Sequence, residues 1–228
     1  MIRRHPLALI VGASLCAALL LPSSASAADQ GGTVRGKVTI KRKGKAKKNH
    51  SKVVIEIKGI KVKPEKMKAA IRQRNKTFIP DLTVVTKNSI VEFPNDDKIF
   101  HNVFSLSKTA RFDLGLYKSG SSKSVKLRRD GEITVYCNIH PEMVSKIKVV
   151  DTPYYAVTGK DGTFRIDDVP PGTYPITTWL PYGTGTSGTV TVTAGKTTTM
   201  NFVVRAGKKP KRHLRKIGRA SWRERVWG

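Results

Sequence analysis

The chain has 228 residues, with 43 Lys+Arg against 16 Asp+Glu and a formal charge of +27. That length leaves room for one or two small domains and argues against large enzymes, transporters and cytosolic nucleotide-binding folds. Charge of this sign favours acidic partners, but no aromatic-interleaved basic motif marks a nucleic-acid reader, so no nucleic acid is expected.

In chain order, residues 1–27 read as a secretory signal. Arg3 and Arg4 form its positive start, Leu7 to Leu21 its apolar stretch, and Ala25-Ser26-Ala27 an A-x-A cleavage site. The apolar stretch is too short to span a bilayer. Leu15 stands where a lipoprotein signal carries a small residue, so Cys16 is not read as a lipid anchor. A periplasmic or secreted product is expected. Cleavage removes two of the 43 basic residues, leaving 41 against 16 acids, a formal +25.

Strands are expected almost everywhere after that. Thr33 to Ile40 alternates small and β-branched residues, a Lys/Gly loop follows, and Val53 to Ile57 is a β-branched run. The stretch from Arg35 to Lys68 carries 14 basic residues against Glu56 and Glu65, which reads as a strongly basic surface. Lys63 to Lys76 is the one segment expected to be helical or irregular. Further short strands are expected over Leu82–Thr86, Ile90–Phe93, Val103–Leu106, Ser124–Leu127, Ile133–Tyr136 and Ser145–Val150. A last set covers Thr163–Ile166, Tyr174–Trp179, Gly188–Val192 and Thr198–Val204. Short strands at this spacing, without helical interludes, predict an all-β chain of antiparallel sandwiches. Residues 205–228 read as a disordered basic tail. Lys216 to Val226 resembles a translated sequencing adapter and is set aside from the fold.

Cys16 leaves with the signal, so the exported chain keeps a single cysteine, Cys137. It has no internal disulfide partner, and a lone thiol in an oxidising compartment is a liability unless something occupies it. It lies in Tyr136-Cys137-Asn138-Ile139-His140-Pro141-Glu142-Met143, between two expected strands, and His101 opens a strand 36 residues earlier. One thiolate, two imidazoles and a thioether form the soft donor set suited to copper, with Met143 as a weak axial ligand. Zinc would take further thiolates or histidines and has little use for a thioether. Taken singly, each residue is ordinary; together they make one metal site of His101, Cys137, His140 and Met143.

The H…C-x-x-H-x-x-M arrangement resembles the cupredoxins (type 1, or blue, copper proteins), amicyanin among them, which share the short ligand loop and the Pro after the second His. Gln73-Arg74-Asn75-Lys76, Phe93-Pro94-Asn95, Phe112-Asp113-Leu114-Gly115-Leu116-Tyr117 and Asp151-Thr152-Pro153-Tyr154 are similar to bacterial plastocyanin-like or methylamine-utilisation-like proteins. The resemblance implies one type 1 copper, with His101, Cys137 and His140 as strong ligands and Met143 as the axial one. It also implies a backbone N–H of Asn102 supporting the sulfur, and His140 as the solvent-edge ligand through which electrons pass. Thr158 to Tyr174 is similar to carboxypeptidase regulatory-like modules, small transthyretin-like sandwiches, and Gly32 to Val38 resembles the first strand of the same module. The expected domains are therefore N-terminal strands over 28–60, a Greek-key cupredoxin sandwich over 61–150 and a regulatory-like sandwich over 151–204. The central domain would be inserted between the halves of the other; the alternative is a simple tandem, with the early strands belonging to the cupredoxin sheet.

Asp96, Asp97, Asp167 and Asp168 form adjacent pairs in turns and read as turn chemistry. His50 and His213 lie in lysine-rich segments, too few to equip a copper oxidase or nitrite reductase. No catalytic residue is assigned, and the chain is read as a non-enzyme. The expected function is an exported one-electron carrier, monomeric, docking a redox partner with an acidic surface. An anionic envelope surface is a second partner in view. A non-catalytic copper-binding or delivery protein and a basic envelope-adhesion module stand as alternatives.

Overall fold

The computed structural model describes residues 30–209. The signal expected over 1–27, His213 and the adapter-like segment lie outside the described residues. All strands and no helices occur among those described. The first are β1 (Gly32–Arg42), β2 (Lys45–Ala46) and β3 (Val54–Ile57). Ten follow: β4 (Lys68–Ala70), β5 (Arg72–Arg74), β6 (Thr77–Ile79), β7 (Leu82–Thr86), β8 (Ile90–Pro94), β9 (His101–Leu106), β10 (Arg111–Tyr117), β11 (Ser122–Lys126), β12 (Gly131–Tyr136) and β13 (Val144–Val150). The last are β14 (Tyr155–Val157), β15 (Thr163–Val169), β16 (Gly172–Trp179), β17 (Gly183–Thr184), β18 (Ser187–Val192) and β19 (Thr197–Ala206).

One sandwich packs the sheet β15-β1-β19-β17 against the sheet β14-β3-β16-β18. Period-two alternation turns Val34, Val38 and Ile40 of β1 inward, where they meet Ile55 and Ile57 of β3 and Phe202 and Val204 of β19. The early strands are central to both sheets: β1 lies between β15 and β19, and β3 between β14 and β16. Gly36 permits the close β1–β19 pairing, since a Cβ there would sit 1.6 Å from the Met200 carbonyl oxygen. Only hydrogen fits.

The second sandwich is built between β3 and β14. It combines the sheet β10-β9-β12-β13-β7, the sheet β11-β8-β4 and the β5–β6 hairpin around a separate apolar cluster that includes Phe93, Val103, Ile133 and Cys137. Its entry and exit are neighbours, because the Ile57 N–H donates to the Tyr154 carbonyl at 2.9 Å. An insertion needs such adjacent ends.

The segment Lys63–Lys76, expected to be helical or irregular, has no helix: residues 63–67 are irregular and the rest forms two short strands and a turn. Lys68–Ala70 joins β8 in parallel, and Arg72–Arg74 pairs with Thr77–Ile79 around Asn75-Lys76. Ile71 and Gln73 are both fully buried at alternate positions, and the Ile71 N–H satisfies the Glu92 carbonyl at 2.8 Å. Unpaired backbone on β8 thus overrides a weak local preference. β10 is also a strand that no expectation covered; its alternation is interrupted by a bulge at Asp113–Leu116 that carries Gly115 at φ 67°.

Charged side chains join the sandwiches. Residues of β13 alternate between Ile147 and Val149, which face their own core, and Lys146 and Lys148, which face the other sandwich. Lys148 reaches the Glu56 carboxylate of β3 at 2.7 Å, and the two side chains are 9% and 2% exposed. Lys146 bonds Glu132, whose other oxygen accepts the Trp179 indole N–H at 3.2 Å, and lies 4.7 Å over the Tyr182 ring.

Candidate metal centre

Two chain segments bring the expected donors together. β9 begins at His101, which is fully buried; β12 ends at Tyr136, and the loop that follows holds Cys137, fully buried, and His140, partly exposed. The segments are fastened by the Asn102 side-chain oxygen, which accepts the Asn138 N–H at 2.7 Å. This side-chain contact of Asn102 is one that spacing did not reveal.

His101 Nδ1 lies 4.0 Å from Cys137 Sγ, His140 Nδ1 lies 3.9 Å from the same sulfur, and the two nitrogens are 3.0 Å apart. A triangle with these sides has one point about 2.1 Å from every corner, within the roughly 2.0–2.3 Å at which imidazole nitrogen and thiolate sulfur bind a transition metal. The donors therefore fit one ion. Met143 is fully buried in the same apolar cluster as Cys137, and its N–H donates to the His140 carbonyl at 3.0 Å, closing the loop.

Asp97 turns out to be more than turn chemistry. Its carboxylate accepts the His101 Nε2–H at 2.7 Å and the N–H groups of Asn75 and Lys76 at 2.6 and 2.9 Å. Asn75 and Lys76 both have positive φ, 53° and 54°, the geometry of a tight two-residue hairpin turn, and this aims both N–H groups at one carboxylate. Burial works to raise the Asp97 carboxyl. The hydrogen bonds from Lys76, His101 and Asn75 outweigh it and hold the group below its ordinary value. An ionised Asp97 keeps the proton on His101 Nε2 and leaves the Nδ1 lone pair facing Cys137 and His140. The four-residue spacing from Asp97 to His101 was the available signal in the sequence.

His140 is held below the usual imidazole value, first by burial, then by His101 and Lys76. It is thus biased toward the neutral form that binds metal. Beneath the site, Gln73 donates to the Tyr117 hydroxyl at 2.6 Å, and that hydroxyl donates to the Phe93 carbonyl at 2.8 Å. Tyr117 is the strand partner of His101, so this buried network braces the ligand strand. His50 is structural: its Nδ1 accepts the Ile40 N–H at 2.9 Å. Asp96 pairs with Arg72, and Asp167 with Arg165, both at exposed positions.

Asp97→Asn should weaken metal binding about 10- to 100-fold, the usual cost of losing an outer-shell partner of a ligating His. Asp96→Asn should leave it unchanged. Chelator competition on the two folded variants measures the difference, and equal affinities would remove Asp97 from the site.

No curated protein matches the chain. Among solved structures, it is similar to a purple cupredoxin from Nitrosopumilus maritimus at 20% identity and a TM-score of 0.33, over 36% of this chain and 99% of that one. An oxidised mutant of amicyanin gives 18% identity and a TM-score of 0.34, over 36% and 81%. A copper-containing nitrite reductase from Thermus scotoductus SA-01 gives 19% and 0.36, over 42% of this chain and 26% of that one. The family model of the carboxypeptidase regulatory-like domain matches residues 144–205, which span β13 of the inserted sandwich and all of β14 to β18. The chain is thus all-β, its neighbours among solved structures are cupredoxins, a stretch of it matches the carboxypeptidase regulatory-like domain, and it carries a His-Cys-His group able to hold a metal ion.

Proposed function

We propose that this chain is an exported type 1 copper protein that carries single electrons. The observation that carries the reading is the convergence of one thiolate and two imidazole nitrogens from His101, Cys137 and His140 on a common point. When bound, copper supplies a one-electron couple between Cu(I) and Cu(II), which a soft N₂S set with a weak axial thioether tolerates in both states. The protein's own part is to hold the donors still. Asn102 locks the loop to β9, Asp97 fixes the His101 tautomer, and the core around Cys137 and Met143 excludes water. Met143 takes the axial role in this reading, and the partly exposed His140 is the edge for electron exchange. Phe100 and Ile139, each beside a ligand in sequence, are 54% and 51% exposed and offer an apolar contact for a redox partner. The basic surface complements an acidic surface on that partner.

The test is spectroscopic. The Cu(II) protein should show an intense visible thiolate-to-copper band, and Cys137→Ser should abolish it. Met143→Leu should keep the colour and shift the reduction potential; loss of metal would instead make Met143 a primary ligand. A pale wild-type Cu(II) complex would end the type 1 assignment. Association with an acidic redox partner should slow steeply as salt rises, and a flat response would remove steering from the reading.

A further inference from the structure

The end of the outer sandwich farthest from the β18–β19 turn carries a groove of about 610 Å³, formed between the β1–β2 hairpin, the β16–β17 turn and the end of β19. Its rim holds Arg42, Lys47, Lys208 and Lys209, and no carboxylate lines it. Lys52 also lines it but is engaged by Asp81 at 2.5 Å. Arg42, Lys47 and Lys208 form no salt bridge among the described residues.

Local geometry explains the convergence. Lys43 and Gly44 form the hairpin turn with φ of 50° and 80°, so Arg42 pairs with Lys45 and the chain returns to place Lys47, whose N–H donates to the Ile40 carbonyl at 2.8 Å. Ile40 and Arg42 share a face of β1, one inside the core and the other just beyond it. On the opposite wall, Leu180-Pro181-Tyr182-Gly183 forms a turn in which the Gly183 N–H donates to the Leu180 carbonyl at 3.3 Å. Tyr182 occupies the left-handed backbone at φ 57°, a place that favours Gly or Asn. A bulky ring retained against that preference needs a compensating use. Lys146, 4.7 Å from the ring centroid, supplies part of it, and Lys209, which lines the groove with Tyr182, lies 5.9 Å from the same centroid.

We propose that this groove binds an anionic polysaccharide, its cations meeting carboxylate or sulfate groups and the Pro181–Tyr182 surface meeting a sugar face. Charge complementarity selects a polyanion. An aromatic ring beside hydroxyl and amide side chains, here Ser51 and Asn49, suits sugar rings with alternating apolar and hydroxyl surfaces. A bilayer surface fits less well, since none of the large exposed apolar residues lines the groove and nothing there could insert. The site is remote from the ligand loop in sequence and does not depend on which metal His101, Cys137 and His140 hold.

The experiment titrates the folded chain with oligogalacturonate and with a heparin oligosaccharide, which separate carboxylate from sulfate recognition, and with neutral dextran as the blank. Arg42→Ala combined with Lys47→Ala should weaken binding about tenfold or more, the loss of two charge-assisted contacts. Tyr182→Gly, which relieves the backbone while removing the ring, should weaken it while the melting temperature shows a folded protein. Arg35→Ala combined with Lys196→Ala, at the other end of β1 and β19, should leave it within twofold. Equal loss in both double variants would overturn the proposal in favour of diffuse charge. Polyglutamate or phosphatidylglycerol vesicles binding as tightly, with the same sensitivity to Arg42 and Lys47, would overturn it in favour of a protein or a membrane. No binding to either oligosaccharide at low salt would also defeat it.

Discussion

Deleting residues 28–59 should unfold the outer sandwich and leave the inserted one, which carries the His-Cys-His group, intact. The deletion removes β1 and β3, each the central strand of its sheet, so β15 is separated from β19 and β14 from β16. Six core side chains leave with them: Val34, Val38, Ile40, Val53, Ile55 and Ile57. At ~1.5–3 kcal/mol for each buried side chain, the loss is roughly 9–18 kcal/mol, against a total stability of about 5–15 kcal/mol for a whole domain. The inserted sandwich loses little by comparison. Its apolar cluster contains no residue from 28–59, and Lys148, freed from Glu56, moves into water instead of staying buried alone. Limited proteolysis should therefore digest the truncated chain beyond about residue 151 and spare a fragment near 61–150 that still binds metal. A truncated protein in which residues 163–206 resist protease would show that the late strands form a sandwich unaided. Loss of metal binding by the 61–150 fragment would show that the junction supports the site.

The second large effect lies at that junction. Lys148→Ala should destabilise the protein by about 3–5 kcal/mol, because it strands the Glu56 carboxylate in a site that is 2% exposed. Glu56 is already under-satisfied: its Oε2 makes no hydrogen bond, although the partly exposed Lys58 ammonium lies 3.7 Å from it. Replacing both partners, with Glu56→Leu and Lys148→Met, removes the stranded charge and should recover most or all of the loss. Urea unfolding of the two single variants and the double variant gives the coupling directly. A double variant no more stable than Lys148→Ala would mean that shape, not charge, sets the cost.

Exposed pairs make a useful contrast. Lys52–Asp81, at 2.5 Å, also links the sandwiches, yet its side chains are 48% and 62% exposed. Water and salt screen it, so its contribution is ~0–1 kcal/mol. Distance alone would have ranked it above Glu56–Lys148. Burial reverses the order.

Strands marked by a local run of β-branched residues between turn formers are legible without the fold. Leu82–Thr86 and Ile133–Tyr136 could be read because they are short runs rich in β-branched residues, flanked by turn formers. The candidate donors could be read as well, because Cys137, His140 and Met143 share one short loop and thiol, imidazole and thioether are chemically rare together. The insertion arrangement was legible in outline, since residues 32–38 echo a module whose other strands come after Asp151. Tertiary structure alone decided the remainder. Lys68–Ala70 is a strand because β8 offers it backbone partners, and Arg72–Arg74 because Thr77–Ile79 folds back on it, while the core takes Ile71 and Gln73. Asp97 lies four residues before His101, but its carboxylate is held by the left-handed turn at Asn75-Lys76, and its contact with Asn75, 22 residues distant, is one that no periodicity encodes. Lys146 and Lys148 sit inward on β13 because Glu132 of the neighbouring strand β12 meets the first and Glu56, from the other sandwich, meets the second. Local pattern fixes which face of a strand is apolar. Only the packed neighbour fixes what a buried charge is paired with, because that pairing is made across chain separations over which sequence carries no period.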